Sequence, residues 1–562
     1  MKGVLIYRDV VTTTSFVLIE DKIVRYRSMF LAILSGILLI LIFPRADLEF
    51  IAWIALVPLF LAIRGKSPKN AFGLGLLTGL VSFLGIFYWI TIVAPLIGLF
   101  ILAFYLALYI ALFCFLYTLC TSHISHLTSH ILFAPCLWVS LEYIRSVFLS
   151  GFPWALIGHS QYLNTPLIQI SEFTGVYGVS FLIVLANVTI AHLITDHPSP
   201  EGSGQDLSRA NARGRLPITV RRKSLPVVIV VIIVGACFVY GKLILRTAHL
   251  IPRNSELKVG IVQGNIGIEK WHEIFRQEAM DIHIRLTEEV AEEGPELIVW
   301  SETATASCLK HEGGDLARLS NLARKLRSHL LIGSLDSAGQ GRYYNSAFLI
   351  SPKGNITCQY NKVHLVPFGE VIPLRRQIPF LARIVERLGG GGFEPGEELT
   401  IFDIDGKKFG VLICYEGIFD NLVRKFVKKG AGFIVNITND AWYRRTSAPY
   451  QHFSFSVFRA VENRVPVVRA ANTGVSGFID SYGRIRKDLD IFIEGTLVDK
   501  IRLKRQARPP KLGERRRETL YTRFGNLFAY LCLGLSGLFL IGALIRKKLK
   551  SFSQRLIRLR RK

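Results

Sequence analysis

The stretch GVLICYEGIF, residues 410–419, carries an apolar run onto a thiol, Cys414, with Tyr415 and the carboxylate Glu416 directly after it. A lone cysteine on a strand is ordinarily a small core residue. An ordinary thiol, with a pKa of about 8.5, is only a few per cent thiolate at neutral pH, so a nucleophilic cysteine needs a base and a nearby cation. Two other strand ends could supply them. Glu302 follows the apolar run LIVW, where desolvation raises a carboxylate toward base function. Lys362 stands in YNKVHLVPFGE, polar among apolar neighbours at the end of a hairpin. Each alone is what a solvated strand cap looks like. The ordered trio Glu302, Lys362, Cys414, spaced 60 and 52 residues apart, is the arrangement that points to covalent chemistry.

These strand ends need a scaffold, and residues 257–500 read as α/β: short apolar runs broken by turn residues and charged, helix-periodic stretches. Strands are expected at 257–266, 296–303 and 329–336, with the helix-periodic 269–293 between the first two. A hairpin turns at Pro352-Lys353-Gly354-Asn355, and a second at Asp405-Gly406 between LTIFDI and KKFGVLICYE. A central strand follows at 432–440, and VPVVRAANTG and VSGFID close the set. Mixed sheets covered by helices are the expected result.

The rest of the chain is too apolar for an ordinary soluble protein: half of its 562 residues are hydrophobic. Stretches that could cross a bilayer core, which takes roughly 20 apolar residues, fall at 29–44, 49–63, 71–90, 93–120, 131–149, 177–195, 225–245 and 524–545. Short loops rich in Lys and Arg stay on the cytoplasmic side. Lys2, Arg8, Lys22, Arg25 and Arg27 precede the first stretch; Arg64, Lys66 and Lys69 follow the second; Arg209, Arg213, Arg215, Arg221, Arg222 and Lys223 precede the seventh; nine bases fill the tail 546–562. The alternate loops hold Arg45 in one case and no base in 150–176, and 121–130 is silent. The pattern divides the chain into a cytoplasmic segment 1–28, a bundle of about seven helices over 29–245, an extracytoplasmic domain 246–523, a last span 524–545 and a basic cytoplasmic tail 546–562. Both termini are then cytoplasmic, and the first apolar segment is kept as an anchor. The formal charge of +26 is largely this topology signal, so no nucleic-acid partner is inferred from it. The basic run 503–523 lies outside in this scheme, as a solvated linker or a contact to anionic headgroups. The histidines of SHISHLTSH, His123, His126 and His130, match no strong metal spacing, and Cys308 follows no apolar strand.

VWSET, YNKVHLVPFGE, ICYE and ITNDAWY resemble the motifs of the nitrilase superfamily, whose Glu-Lys-Cys triad lies on an αββα sandwich. Seven spans before such a domain and one after it resemble the apolipoprotein N-acyltransferase family, multi-pass proteins of the bacterial inner membrane. The resemblance implies a nitrilase-like sandwich inserted between the seventh and eighth transmembrane helices. Cys414 is then the nucleophile, Glu302 the general base, and Lys362 the cation facing a tetrahedral oxyanion, with the backbone N–H of Tyr415 as a second donor. Glu370, in VPFGE, matches an additional carboxylate near the thiol; Trp271, Tyr415 and Glu416 match positions near the acyl and headgroup entrance. The implied partners are a phospholipid acyl donor, a diacylglyceryl apolipoprotein acceptor and the membrane, with no metal or dissociable cofactor and a monomeric chain. The acyl group passes through a cysteine thioester in ping-pong fashion. Two departures touch loop geometry: Ser301 stands where Pro is usual, and Tyr443-Arg444-Arg445 where a Phe-Gly pair is expected. A membrane-tethered amidase or hydrolase of the same superfamily, and a non-catalytic lipid-binding scaffold, remain as alternatives; an intact trio speaks against the scaffold.

Overall fold

The computed structural model describes residues 2–122, 127–195, 218–248, 255–267, 273–311, 313–372, 391–503 and 518–560. The chain forms two compact units, Met1–Ser146 with Ser180–Ala236 and Ala529–Lys562, and Val147–Val179 with Cys237–Phe528. Among the described residues, seven helices are long and apolar enough to cross a membrane: Lys22–Leu41, Pro68–Ile86, Leu96–Thr121, Ser129–Ser150, Val176–Thr195, Leu225–Thr247 and Leu527–Gln554. They coincide with seven of the eight expected stretches.

The remaining one, 49–63, is not a single helix. It is a 3-10 segment, Glu49–Trp53, followed by a seven-residue α-helix, Val57–Ile63. Seven residues rise only about 10 Å, a third of a hydrocarbon core. A broken helix at membrane depth leaves backbone groups that neighbouring helices must satisfy. Here the helix Val176–Thr195 supplies Asn187. Its Oδ1 accepts from the N–H of Leu56 (2.7 Å) and Val57 (3.1 Å), and its Nδ2 donates to the carbonyl of Ala52 (2.8 Å).

Close approach in the first unit follows from small residues, as expected where van der Waals packing replaces the hydrophobic drive. On the helix Pro68–Ile86, a Cβ at Gly79 would lie 2.6 Å from Cα of Ala107, and one at Gly75 would lie 2.8 Å from the Ile110 carbonyl oxygen.

The second unit holds two six-stranded sheets. The first runs β12-β1-β2-β3-β4-β5 and the second β11-β10-β9-β8-β7-β6. In the first, β1 (Ser255–Gln263), β2 (Leu297–Val299) and β3 (His329–Gly339) are parallel, with β4 (Arg342–Ile350) and β5 (Ile356–Asn361) added as antiparallel hairpins. In the second, β7 (Lys407–Ile413), β8 (Phe433–Thr438) and β9 (Val467–Ala471) are the parallel core, with β6 (Ile401–Ile404) antiparallel to β7. Parallel neighbours need crossovers. The helices Glu273–Ala291 and Gly313–Leu326 make them for one sheet, Asp420–Lys428 and Ala448–Asn463 for the other. Helices thus cover each sheet, and β2 and β8 are buried at every residue. This is the expected αββα sandwich.

Three further strands complete the sheets. β10 (Ser476–Ile479) pairs antiparallel with β9 and β11 (Ile485–Leu489), while β12 (Gly495–Leu503) returns to pair antiparallel with β1, Ser255 opposite Leu503. β11 and β12 were not foreseen. Both lie at sheet edges and carry exposed charges such as Lys487 and Arg502, so neither presents the continuous apolar run by which the inner strands are recognised.

Candidate active site

The C-terminal ends of the parallel strands converge, and the candidate side chains stand there. Glu302 follows β2. Trp300, fully buried, anchors that strand end: its indole N–H donates to Thr287 Oγ1 at 2.8 Å and its ring lies 4.6 Å from that of His283. The turn carrying Glu302 rests directly on β3, where a Cβ at Gly333 would fall 2.2 Å from the Ser301 carbonyl oxygen. Glycine is required there by contact, not by φ. Ser301, in the position usually held by Pro, is fully buried, so the absence of the ring leaves the turn no more exposed.

Glu302 is 6% exposed, and its two oxygens have separate partners. Oε1 accepts from Asn345 Nδ2 at 2.7 Å and Oε2 from the backbone N–H of Asn439 at 2.8 Å. Lys362, 1% exposed, brings its ammonium to 3.5 Å from Glu302 and 2.9 Å from Glu370. Asn345 bridges the two carboxylates, its Nδ2 also reaching Glu370 Oε1 at 3.0 Å, while its backbone carbonyl accepts from the N–H of Lys362 at 2.8 Å. Burial alone pulls the Lys362 ammonium down. Glu370, Glu302 and the Cys414 sulfur outweigh it and hold the ammonium above its usual range.

Cys414 directly follows β7 and is itself in the left-handed region, φ +51°. For a residue with a Cβ this costs about 1–2 kcal/mol, a strain that survives at functional sites where the surroundings over-determine it. Burial, and then the Glu302 carboxylate, push the thiol well above its ordinary range, while Lys362 pulls it down. The resting group is therefore a thiol, and removing its proton falls to a neighbouring base.

Glu416 is fully buried. Its Oε2 accepts from the N–H of Ile413 at 2.8 Å, and its Oε1 from Tyr360 Oη (2.8 Å) and the N–H groups of Val363 (2.8 Å) and His364 (3.0 Å). One carboxylate thus staples the end of the nucleophile strand to the loop that carries Lys362. Burial pushes it up to about 7 against the pull of these donors. Tyr415 packs its ring 5.1 Å from Phe419 and 6.0 Å from His364. Trp271 lies outside the described residues, as do His123, His126 and 504–517 of the basic run.

Beneath Cys414 lies a second polar layer that the sequence reading did not single out. Asp440 accepts from Arg469 Nη2 at 3.0 Å and faces His452 Nδ1 at 3.0 Å; His452 Nε2 stands 3.2 Å from the Cys414 carbonyl oxygen. Asn436 hydrogen-bonds Arg469 and directs Nδ2 at the same carbonyl, 3.4 Å away. Donor atoms of Cys414, Asp440 and His452 lie within 4.8 Å of one another, a set able to hold a cation, yet Arg469 already neutralises Asp440 and Lys362 bears on the thiol. The signal for this layer is Asn439-Asp440, two polar residues directly after the wholly buried β8, inside the quoted ITNDAWY.

The fold and site together define a nitrilase-type sandwich carried in a multi-pass membrane chain. Residues 258–508 match the carbon-nitrogen hydrolase family model, and residues 35–189 match the apolipoprotein N-acyltransferase N-terminal domain. The apolipoprotein N-acyltransferase of Geobacter metallireducens is 40% identical over 90% of this chain and 93% of its own length. Apolipoprotein N-acyltransferase 1 of Treponema denticola is 29% identical over 90% and 94%, and the Chlorobaculum tepidum protein 28% identical over 93% and 97%. The chain belongs to the apolipoprotein N-acyltransferase family.

Proposed function

We propose that this acyltransferase works through the triad Glu302, Lys362 and Cys414 and a thioester at Cys414. The observation that supports the reading is the buried Lys362 ammonium shared between Glu302 and Glu370, with the charges of Glu302 and Lys362 both bearing on the Cys414 thiol. In the first half-reaction Glu302 takes the thiol proton as Sγ attacks the ester carbonyl of a phospholipid. The oxyanion forms beside the Lys362 ammonium and the Tyr415 N–H, and Glu302 returns the proton to the departing lysophospholipid alkoxide. In the second, the α-amine of a diacylglyceryl-cysteine attacks the thioester, Glu302 takes the amine proton, and the thiolate leaves and is reprotonated. One covalent intermediate lets two bulky lipids use one site in turn. Glu370 holds the ammonium in place.

The catalytic unit belongs on the extracytoplasmic face, with both termini cytoplasmic. Charge bias supports this: the bases before residue 28 and those at 64–69 share one side only if the chain crosses twice between them. The second crossing is then the broken segment 49–63, whose backbone Asn187 satisfies. Incubation with phospholipid carrying a labelled acyl chain, then mass spectrometry of the peptide containing Cys414, is expected to give an acyl adduct that Cys414→Ala lacks. Acyl transfer by Cys414→Ala at the normal rate would remove the nucleophile assignment.

A further inference from the structure

Cys414 keeps its positive φ only if something holds its peptide, and the polar layer below it is built to do so. Two side chains aim donors at its carbonyl oxygen: Asn436 Nδ2 at 3.4 Å and His452 Nε2 at 3.2 Å. His452 is fixed from every side. Asp440 faces Nδ1 at 3.0 Å, and the Trp154 ring lies 5.5 Å away at a 31° tilt, its indole N–H donating to Gln451 at 2.9 Å. Arg469 locks the far oxygen of Asp440, against which a Cβ at Gly474 would stand at 2.2 Å.

We propose that His452 is a positioning residue for acyl transfer: its Nε2–H holds the carbonyl of Cys414 and so fixes the left-handed turn that aims the thiol at Glu302 and Lys362. The role rests on Cys414 being the nucleophile. A carbonyl only accepts, so Nε2 carries a proton. Nδ1 faces Asp440 Oδ1 at 3.0 Å, and Arg469 binds the other oxygen of that carboxylate at 3.0 Å. Burial, and then Arg469, hold the imidazole below its ordinary range against the pull of Asp440 and the Cys414 carbonyl, and the role needs only the proton on Nε2. In this layer Arg469 pairs with Asp440, and beside the thiol Lys362 stands between Glu302 and Glu370.

Glutamine and asparagine separate the two contacts. The amide of His452→Gln reaches where Nε2 was and keeps the donor to Cys414; that of His452→Asn reaches where Nδ1 was and keeps only Asp440. The test is the single-turnover rate of adduct formation at Cys414 with saturating labelled phospholipid, read beside thermal unfolding of each variant in detergent. A displaced reacting atom costs about 100-fold, so His452→Asn and His452→Ala are expected to slow by that factor and His452→Gln to stay within about tenfold of the parent. Equal slowing of the Gln and Asn variants at equal thermal stability, or a parental rate in His452→Ala, overturns the role. Absence of the adduct from the parent chain itself overturns instead the nucleophile reading on which the role rests.

Discussion

Glu302 and Lys362 face each other at 3.5 Å with almost no solvent on either. A buried ion pair holds only if the remaining hydrogen-bonding positions are filled. Asn345 and the Asn439 N–H fill those of Glu302, and Glu370 fills one of Lys362 at 2.9 Å. The second carboxylate lets the ammonium stay charged without collapsing onto the base. Glu370→Gln is therefore expected to draw Lys362 onto Glu302 and slow thioester formation about 10²- to 10³-fold, the range for losing one preorganised oxyanion contact. Single-turnover acylation measures it; an unchanged rate would detach Glu370 from the site.

Because the resting thiol is held high, its alkylation should report its neighbours with opposite signs. Glu302 raises the thiol and Lys362 lowers it. Glu302→Gln removes a negative charge, lowers the thiol pKa, and should speed reaction with iodoacetamide at pH 8 while abolishing acyl transfer. Lys362→Met removes the positive charge and should slow both. In the parent, alkylation should still be rising above pH 9, past the ordinary thiol midpoint near 8.5. A slower alkylation in Glu302→Gln would contradict the assigned electrostatics.

Glu416 couples two catalytic loops through a single side chain. Glu416→Gln sets an amide N–H against one of its four donors, and one buried unsatisfied contact costs about 1–3 kcal/mol, readable as a lower unfolding temperature in detergent. The pH dependence has a definite sign. In the folded protein the carboxyl sits at about 7, against an ordinary value of 4.5, so between these values the folded state binds more protons than the unfolded one. Stability contributed by this group is complete below pH 4.5 and is lost as pH rises to about 7. Glutamine does not titrate, and the variant should lack that portion of the slope.

The ends of inner strands were the legible part of this molecule. Glu302 and Cys414 each follow an apolar run, which hydrophobic patterning locates well, whereas Lys362 follows the polar edge strand β5 and was legible by its motif. Glu370 came with its motif, and the structure brings it to Lys362. What escaped was set by tertiary contact. Asn345 lies within β4 and reads as an ordinary strand residue; it becomes part of the site only because β4 lies beside the loops bearing both carboxylates. His452 sits on a helix buried over nearly its whole length, where no amphipathic stripe sets it apart. The 49–63 segment has the composition of a span, and its break shows only in backbone hydrogen bonds.

Asn187 gives that break its own test. It makes four hydrogen bonds, to Ala52, Leu56 and Val57 on the broken segment and to Ile183 on its own helix. A polar contact between membrane helices is worth only about 1–2 kcal/mol, because the unfolded chain in lipid finds other partners. Here Asn187 serves the backbone N–H of Leu56 and C=O of Ala52, groups that lipid cannot satisfy, while the Val57 N–H also donates to the Ile54 carbonyl at 3.0 Å. Asn187→Leu, close in size, should therefore cost about 1–3 kcal/mol for the orphaned Leu56 N–H. The fall should appear in the unfolding temperature of the detergent-solubilised protein. Asn187→Asp keeps the acceptor for Leu56 and Val57 and loses the donor to Ala52, so it should fall between the parent and the leucine variant. Identical stability of all three chains would mean that the break at 54–56 is satisfied by other groups, and that the crossing of 49–63 does not depend on this residue.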